Sequence, residues 1–169
     1  MSPDYQPTVA FDLRALLATL HVHRVDYIVI GGVAVQVHGH RRTTKDLDVV
    51  AAPDLENLKR FAAALADLQA RPRDVRGGPP SADRLAAAPI VPPLTTAHGE
   101  LHILRDVPGA PPYAQLRSRA LVIDFEGLTI AVAGLDDLIA MKRASGRPAD
   151  ERDIAALLAD ESSASDGDE

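Results

Sequence analysis

The chain of 169 residues has the length of one folded domain, and its 46% hydrophobic and 25% charged residues are typical of a soluble globular protein. It contains no cysteine, which excludes disulfide bonds, thiolate metal ligands and a cysteine nucleophile. The formal net charge of −6 argues weakly against a general nucleic-acid binder, although five acidic residues lie among the last ten and the rest is close to neutral. We expect a cytoplasmic protein, because no apolar run approaches the roughly 20 residues that cross a membrane and no secretion signal is evident.

Predicted helices and strands alternate in the first 70 residues. Apolar residues at spacings of three and four indicate helices, and short aliphatic runs indicate strands. In chain order we predict a helix over 11–23, a strand over 27–30, a short helix over 33–38, a strand over 45–50 and a helix over 54–70.

The composition changes between residues 71 and 112, where nine of the thirteen prolines lie. We predict a mostly irregular segment there, with one strand over 100–104. Beyond it we predict strands over 120–125 and 128–132 that form a hairpin, a helix over 135–145 and a last helix over 149–158. This order fits an α+β or α/β fold with one mixed sheet. We expect one domain over residues 1–160 and an acidic, disordered tail over 161–169.

A glycine pair follows the first predicted strand. Gly31 and Gly32 stand where this strand meets a helix, and glycine lets the backbone approach a phosphate group closely there. A tight turn that binds nothing is the alternative.

Two aspartates lie on the second predicted strand. Asp46 and Asp48 are two residues apart, so their side chains share one face of the strand. Two carboxylates there repel each other unless they are solvated or bridged by a cation. Mg²⁺ binds a few carboxylates together with substrate phosphates, so the pair is a candidate metal–nucleotide site. A solvent-exposed strand end is the alternative, and the apolar neighbours Leu47 and Val49 argue against it.

These features resemble the nucleotidyltransferases of the DNA polymerase β superfamily, and most of all the small bacterial AbiEii-type and MenT-type toxins. The resemblance covers residues 27–158 and implies an α+β fold with one mixed sheet, flanking helices and a helical C-terminal part. The matching segments are Gly31-Gly32, His38-Gly39, Arg42, Thr44, Asp46-Leu47-Asp48-Val49, His98-Gly99-Glu100-Leu101-His102-Ile103-Leu104, Val107-Pro108-Gly109, Leu138-Ile139-Ala140-Met141-Lys142, Gly146-Arg147-Pro148 and Asp150.

The resemblance implies a function as well as a fold. Members of this superfamily transfer a nucleoside monophosphate from a nucleoside triphosphate to an acceptor hydroxyl, here on the 3′ end of a tRNA, a protein or a small molecule. By resemblance Asp46 and Asp48 are catalytic and bind Mg²⁺ or Mn²⁺. The residues implied to bind the nucleotide are Gly31, Gly32, Arg42, Thr44, Lys142 and Arg147. A toxin of this kind would have tRNA or a cognate antitoxin protein as a partner, and no membrane partner is expected.

His102 departs from the family pattern, which usually has a third carboxylate at this position. Imidazole is a poor ligand for Mg²⁺ but an acceptable one for Mn²⁺ or Zn²⁺. A neutral histidine could also accept a proton from the attacking hydroxyl, so His102 is a third candidate catalytic residue. Glu100, two residues earlier on the same strand face, could substitute for the missing acid. The alternative function is a catalytically impaired module that binds a nucleotide or a partner protein.

Overall fold

The computed structural model describes residues 9–88 and 90–165. Within these residues the strands are β1 (Tyr27–Ile30), β2 (Asp46–Ala51), β3 (Arg71–Pro72), β4 (Leu94–Thr96), β5 (Gly99–Leu104), β6 (Leu121–Phe125) and β7 (Leu128–Val132). The helices are α1 (Leu13–Val22), α2 (Gly31–Val37), α3 (Leu55–Asp67), α4 (Ala82–Ala87), α5 (Tyr113–Ser118), α6 (Leu135–Ser145) and α7 (Pro148–Ser165).

The strands form one sheet in the order β3-β4-β5-β2-β1-β7-β6. The sheet is mixed, because β2 pairs in parallel with β5 and β1 with β7, whereas the other neighbours are antiparallel. Helices flank this sheet, which confirms the predicted α+β class with one mixed sheet. No helix in the described part of the chain is both long and apolar enough to span a membrane.

The core is aliphatic, since only 4% of the residues are aromatic. All four residues of β1 are buried, and so are Leu16, Leu17 and Leu20 of α1. Phe61 of α3 is fully buried as well. Each side chain of this kind contributes about 1.5–3 kcal/mol through removal of apolar surface from water.

Asn57 joins α3 to the strands. Its side chain is fully buried, and its amide nitrogen donates to the carbonyl groups of Asp26 and Ala52 at 2.8 and 2.9 Å. Its amide oxygen accepts from the Asp26 backbone nitrogen at 2.7 Å. These hydrogen bonds satisfy backbone groups of Asp26 and Ala52, which lie next to β1 and β2 where the strand-to-strand hydrogen bonds end.

Several predicted bounds agree with the structure and others differ. Strand 27–30 and helix 135–145 were predicted with the bounds of β1 and α6, and α6 ends at Gly146, whose φ is +65°. α2 begins directly at Gly31 instead of Val33. α7 continues to Ser165, so residues 161–165 are helical rather than an irregular tail, because no glycine or proline interrupts 149–165. Residues 166–169 of the predicted tail lie outside the described residues.

The segment 71–112 is more regular than predicted. It contains β3, α4 and β4 in addition to β5, and α5 follows it. β3 and β4 have two and three residues, which is too short for a hydrophobic period. β4 forms by pairing with β5, and β3 pairs with β4 at the sheet edge. A proline is tolerated in β3 because β3 is an edge strand.

Candidate functional site

Gly31 lies against the side chain of Asp48. β1 ends at Ile30, which is the register partner of Asp48 in β2, and α2 starts at once. Gly31 has a φ of +69°, and a Cβ atom there would lie 2.0 Å from Asp48 Oδ2. A side chain at position 31 is therefore excluded both by the left-handed backbone and by the carboxylate.

Gly32 of α2 lies against two further predicted residues, Arg42 and Thr44, in the loop before β2. A Cβ atom at Gly32 would lie 2.9 Å from Thr44 Oγ1 and 3.6 Å from Arg42 Cζ. The Thr44 hydroxyl donates to the backbone oxygen of Asp46 at 3.2 Å. The loop before β2 is thus packed closely against the start of α2.

Asp46, Asp48 and His102 form a cluster on one face of the sheet. The parallel pairing of β2 with β5 sets Asp48 opposite His102 and Asp46 opposite Glu100. One potential ligand atom from each of Asp46, Asp48 and His102 lies within 4.8 Å of the others, which is a spacing that could hold a metal ion.

One acceptor in this cluster is not satisfied. Among the described residues, Asp48 Oδ1 is the buried side-chain oxygen or nitrogen that has no hydrogen-bond partner. His102 Nδ1 lies 3.0 Å from it in ion-pair contact, without the alignment of a hydrogen bond. A buried carboxylate oxygen without a donor is costly, and a bound cation would remove that cost.

The cluster carries excess negative charge. Burial raises the pKa of Asp46, and the neighbouring Asp48 carboxylate raises it further. The contact with Asp48 raises the pKa of His102 despite the opposing effect of burial, and Asp46 and Glu100 add to the rise. The carboxylates around Asp46 and His102 contribute to both shifts, and a positive charge placed among them would be stabilised.

Glu100 and Arg73 extend the cluster toward the sheet edge. Glu100 Oε2 lies 3.3 Å from His102 Nε2, and Arg73 Nη1 donates to Glu100 Oε1 at 2.9 Å. Burial would raise the pKa of Glu100, but the hydrogen bond and charge of Arg73 outweigh it and lower the pKa. Arg73 was missed in the sequence, because its approach to Glu100 depends on the unpredicted strands β3 and β4.

Three predicted cations meet around two aspartates of α7. Lys142 Nζ lies 3.0 Å from both Asp150 Oδ1 and Asp153 Oδ2, and Arg147 Nε donates to Asp150 Oδ2 at 2.9 Å. Arg42 Nη1 donates to Asp153 Oδ2. The Lys142 side chain is 9% exposed, whereas that of Arg147 is 71% exposed. Asp153 was not singled out in the sequence.

A cavity of about 300 Å³ adjoins Asp48. Its polar lining includes Gly31 and Asp48 together with Lys142, Arg147 and Asp150. The remaining walls are mainly apolar and include Leu104, Val107, Leu138 and Met141. Gly32, Arg42, Thr44, Asp46 and His102 lie outside its lining. Its volume is at the lower end of the range for small-molecule sites.

The comparison with known proteins identifies the fold. No protein-family model matches the chain, and no curated protein matches it significantly. A candidate nucleotidyltransferase from Thermotoga maritima superposes with a TM-score of 0.52 and 15% identity over 86% of this chain and 89% of its own. An antigenic nucleotidyltransferase-like protein from Paracoccidioides brasiliensis gives a TM-score of 0.56 and 18% identity over 85% of this chain and 72% of its own. The chain has a nucleotidyltransferase-like fold.

The nucleotidyltransferase-like fold agrees with the fold that the resemblance implies. Identities below 20% establish the fold and leave the activity to be argued from the site. The finer likeness to AbiEii-type and MenT-type toxins stays a prediction.

Proposed function

We propose that this protein is a divalent-metal-dependent nucleotidyltransferase that transfers a nucleoside monophosphate from a nucleoside triphosphate to an acceptor hydroxyl. The observation that carries the proposal is the position of Asp48. Asp48 belongs to the cluster with Asp46 and His102, contacts Gly31, and lines a cavity that Lys142 and Arg147 also line. One candidate metal ligand and two candidate phosphate contacts therefore line one cavity.

The proposed reaction is an in-line displacement at phosphorus. The acceptor oxygen forms a bond to the α-phosphorus while the bond from this phosphorus to the α–β bridging oxygen breaks, so pyrophosphate leaves and the hydroxyl proton is released. Bound divalent ions supply charge stabilisation for the attacking and leaving oxygens in such reactions. We propose Asp46, Asp48 and His102 as the residues that hold the metal.

The predicted nucleotide contacts differ in their access to a phosphate. Arg147 is mostly exposed and keeps guanidinium donors available beside Asp150, so it is the better-placed phosphate contact. Lys142 is buried between Asp150 and Asp153, and we propose that it acts mainly by holding this side of the cavity in place. Gly31 and Gly32 at the start of α2, with Arg42 and Thr44 in the loop before β2, shape the region beside the cluster.

A second candidate function is a nucleotide-binding or partner-binding module with impaired catalysis. The specific observation is the ion-pair contact of His102 Nδ1 with Asp48 Oδ1 at 3.0 Å. A protonated imidazole at this position competes with a cation for the same carboxylate, and it replaces the third acid of the related enzymes. In this case nucleotide binding persists and transfer does not occur.

The acceptor is proposed only as a hydroxyl. The AbiEii-type and MenT-type resemblance favours a tRNA 3′ end, and with it a toxin controlled by a cognate antitoxin. With three Phe, three Tyr and no Trp, the chain has few aromatic residues on which bases could stack. We therefore treat tRNA, protein and small-molecule acceptors as parallel arms of one experiment.

The experiment uses the full chain with each α-labelled nucleoside triphosphate and either Mn²⁺ or Mg²⁺. We expect transfer of label to one acceptor class, with pyrophosphate released in equal amount. Asp48→Asn should reduce transfer to background, and Asp136→Asn, the same charge change at an exposed position of α6, should leave it intact. Nucleotide binding without transfer would support the impaired module, and no nucleotide binding with either ion would contradict both the transferase and the nucleotide-binding module.

A further inference from the structure

The two nitrogens of the His102 ring face different neighbours. Nδ1 lies 3.0 Å from Asp48 Oδ1, inside the cluster with Asp46. Nε2 lies 3.3 Å from Glu100 Oε2. A histidine that ligates a metal usually donates its other ring N–H to a carboxylate or carbonyl, which fixes the ring and the tautomer. Glu100 is in the position of that carboxylate.

Glu100 is itself held in place. Arg73 Nη1 donates to Glu100 Oε1 at 2.9 Å, so the two oxygens of Glu100 face Arg73 and His102 separately. The register of β2 and β5 sets Glu100 beside Asp46 and His102 beside Asp48. Arg73, Glu100 and His102 therefore form a continuous chain of contacts that ends at the metal-ligand cluster.

The donor set differs from one suited to Mg²⁺. Mg²⁺ prefers oxygen ligands, whereas an imidazole nitrogen is a good ligand for Mn²⁺ and the later first-row divalent ions. Asp46, Asp48 and His102 supply two carboxylates and one imidazole. The hydrogen-bond acceptor that is not satisfied, Asp48 Oδ1, is buried 3.0 Å from His102 Nδ1, and this spacing allows both atoms to ligate one cation.

We propose that Glu100, held by Arg73, is a positioning residue that orients the His102 ring so that Nδ1 completes a metal site selective for Mn²⁺ over Mg²⁺. The proposal rests on the proposed function for the identity of the metal ligands. It assigns a role to two residues outside the cluster, and it concerns metal binding without nucleotide.

The test is a titration of the full chain with Mn²⁺ alone and with Mg²⁺ alone, by calorimetry and by the electron paramagnetic resonance signal of free Mn²⁺. We expect Mn²⁺ to bind on the order of tenfold more tightly than Mg²⁺. His102→Asp should remove most of this preference by strengthening Mg²⁺ binding. Equal affinities of the parent protein for the two ions would overturn the proposal, whether or not this variant folds.

The role of Glu100 is tested by two substitutions and a matched control. Glu100→Ala should weaken Mn²⁺ binding by about tenfold or more, and Glu100→Gln should restore part of it, because the amide oxygen can still accept from Nε2. Glu56→Ala, at an exposed site in the first turn of α3, should leave the affinity unchanged. With Zn²⁺ bound, the ring ¹⁵N shifts of His102 should indicate coordination through Nδ1.

The outcomes separate this inference from the proposed function. If Mn²⁺ selectivity depends on Glu100 but the protein binds no nucleoside triphosphate, this inference is supported and the proposed function is contradicted. If nucleotide transfer proceeds with Mg²⁺ as well as with Mn²⁺, and Glu100→Ala binds Mn²⁺ as the parent does, this inference is overturned while the proposed function stands.

Discussion

At the scale of single residues, the site depends on the close contact between the backbone of Gly31 and the carboxylate of Asp48. The helix α2 turns away from β1 at a φ of +69°, and Asp48 Oδ2 fills the space where a side chain would begin. This contact fixes the Asp48 carboxylate beside the cavity, where Oδ1 remains buried next to His102. Gly31 therefore acts on the site through the position of Asp48.

Gly31→Ala should damage both stability and metal binding. The left-handed conformation costs a residue with a Cβ about 1–2 kcal/mol, and the new methyl group must displace Asp48. We expect a lower free energy of unfolding in urea and a weaker affinity for Mn²⁺ in calorimetry. Gly78→Ala is the matched control, because a Cβ atom there meets no atom within 4 Å. Unchanged Mn²⁺ affinity in Gly31→Ala would show that Asp48 does not hold the ion.

At the scale of elements, α7 is joined to α6 and to the loop before β2 by buried charges. Asp150 and Asp153 are 1% and 3% exposed, and they hold Lys142, Arg147 and Arg42. Each charged group in this network has an opposite charge and hydrogen bonds, which offsets the cost of burying it. The packing of α6 against the cavity therefore depends on two carboxylates from the next helix.

Asp150 should make stability depend on pH. Burial alone would raise its pKa, but hydrogen bonds from Arg147, Ser145 and Lys142 outweigh burial and hold the pKa well below the ordinary value of 3.8. Because the folded-state pKa is depressed, the contribution to stability is complete above about pH 4 and is lost as the pH falls further.

Asp150→Asn measures this contribution. At neutral pH we expect a loss on the order of 3 kcal/mol in the free energy of unfolding, because Lys142 and Arg147 lose a buried partner. The difference between variant and parent should shrink in urea unfolding as the pH falls toward about pH 3. Asp136→Asn, exposed on α6, controls for the change in net charge. If the difference in the free energy of unfolding stays constant with pH, the pKa of Asp150 in the folded protein does not lie below its ordinary value.

At the scale of the whole molecule, the site lies where the end of β1, the strands β2 and β5 and the helices α6 and α7 meet. The cavity includes residues from β1, α2, β2, β5 and α6, so ligand binding should stabilise the fold as a unit. A ligand that binds only the folded protein raises its stability by an amount set by the ligand concentration and the dissociation constant.

A nucleoside triphosphate together with Mn²⁺ should therefore raise the melting temperature. At roughly one hundred times the dissociation constant the stabilisation is about 2.7 kcal/mol, which corresponds to roughly 5–10 °C for a domain of this size. The measurement is a thermal melt with the ion alone, the nucleotide alone and both together, with Asp48→Asn in parallel. An equal shift in Asp48→Asn would place the nucleotide away from Asp48.

The local features of this protein, such as strand faces and the limits of some helices and strands, can be predicted from the sequence. Period-two spacing puts Asp46 and Asp48 on one strand face, and an aliphatic run bounded by glycine predicts β1 with its observed limits. Apolar residues at helical spacing, followed by Gly146, likewise predict α6 with its observed limits. These properties depend on neighbours within a few residues, which a single sequence displays directly.

Residues that lie far apart in the sequence meet at the site because of the tertiary structure. The pairing of β2 with β5 brings together residues more than fifty positions apart, and its register sets His102 opposite Asp48. The short strands β3 and β4 bring Arg73 to Glu100, and α7 brings Asp153 to Lys142 and Arg42. Strand register and helix packing are set by the burial of apolar surface between distant segments, and no local pattern in the sequence specifies that contact.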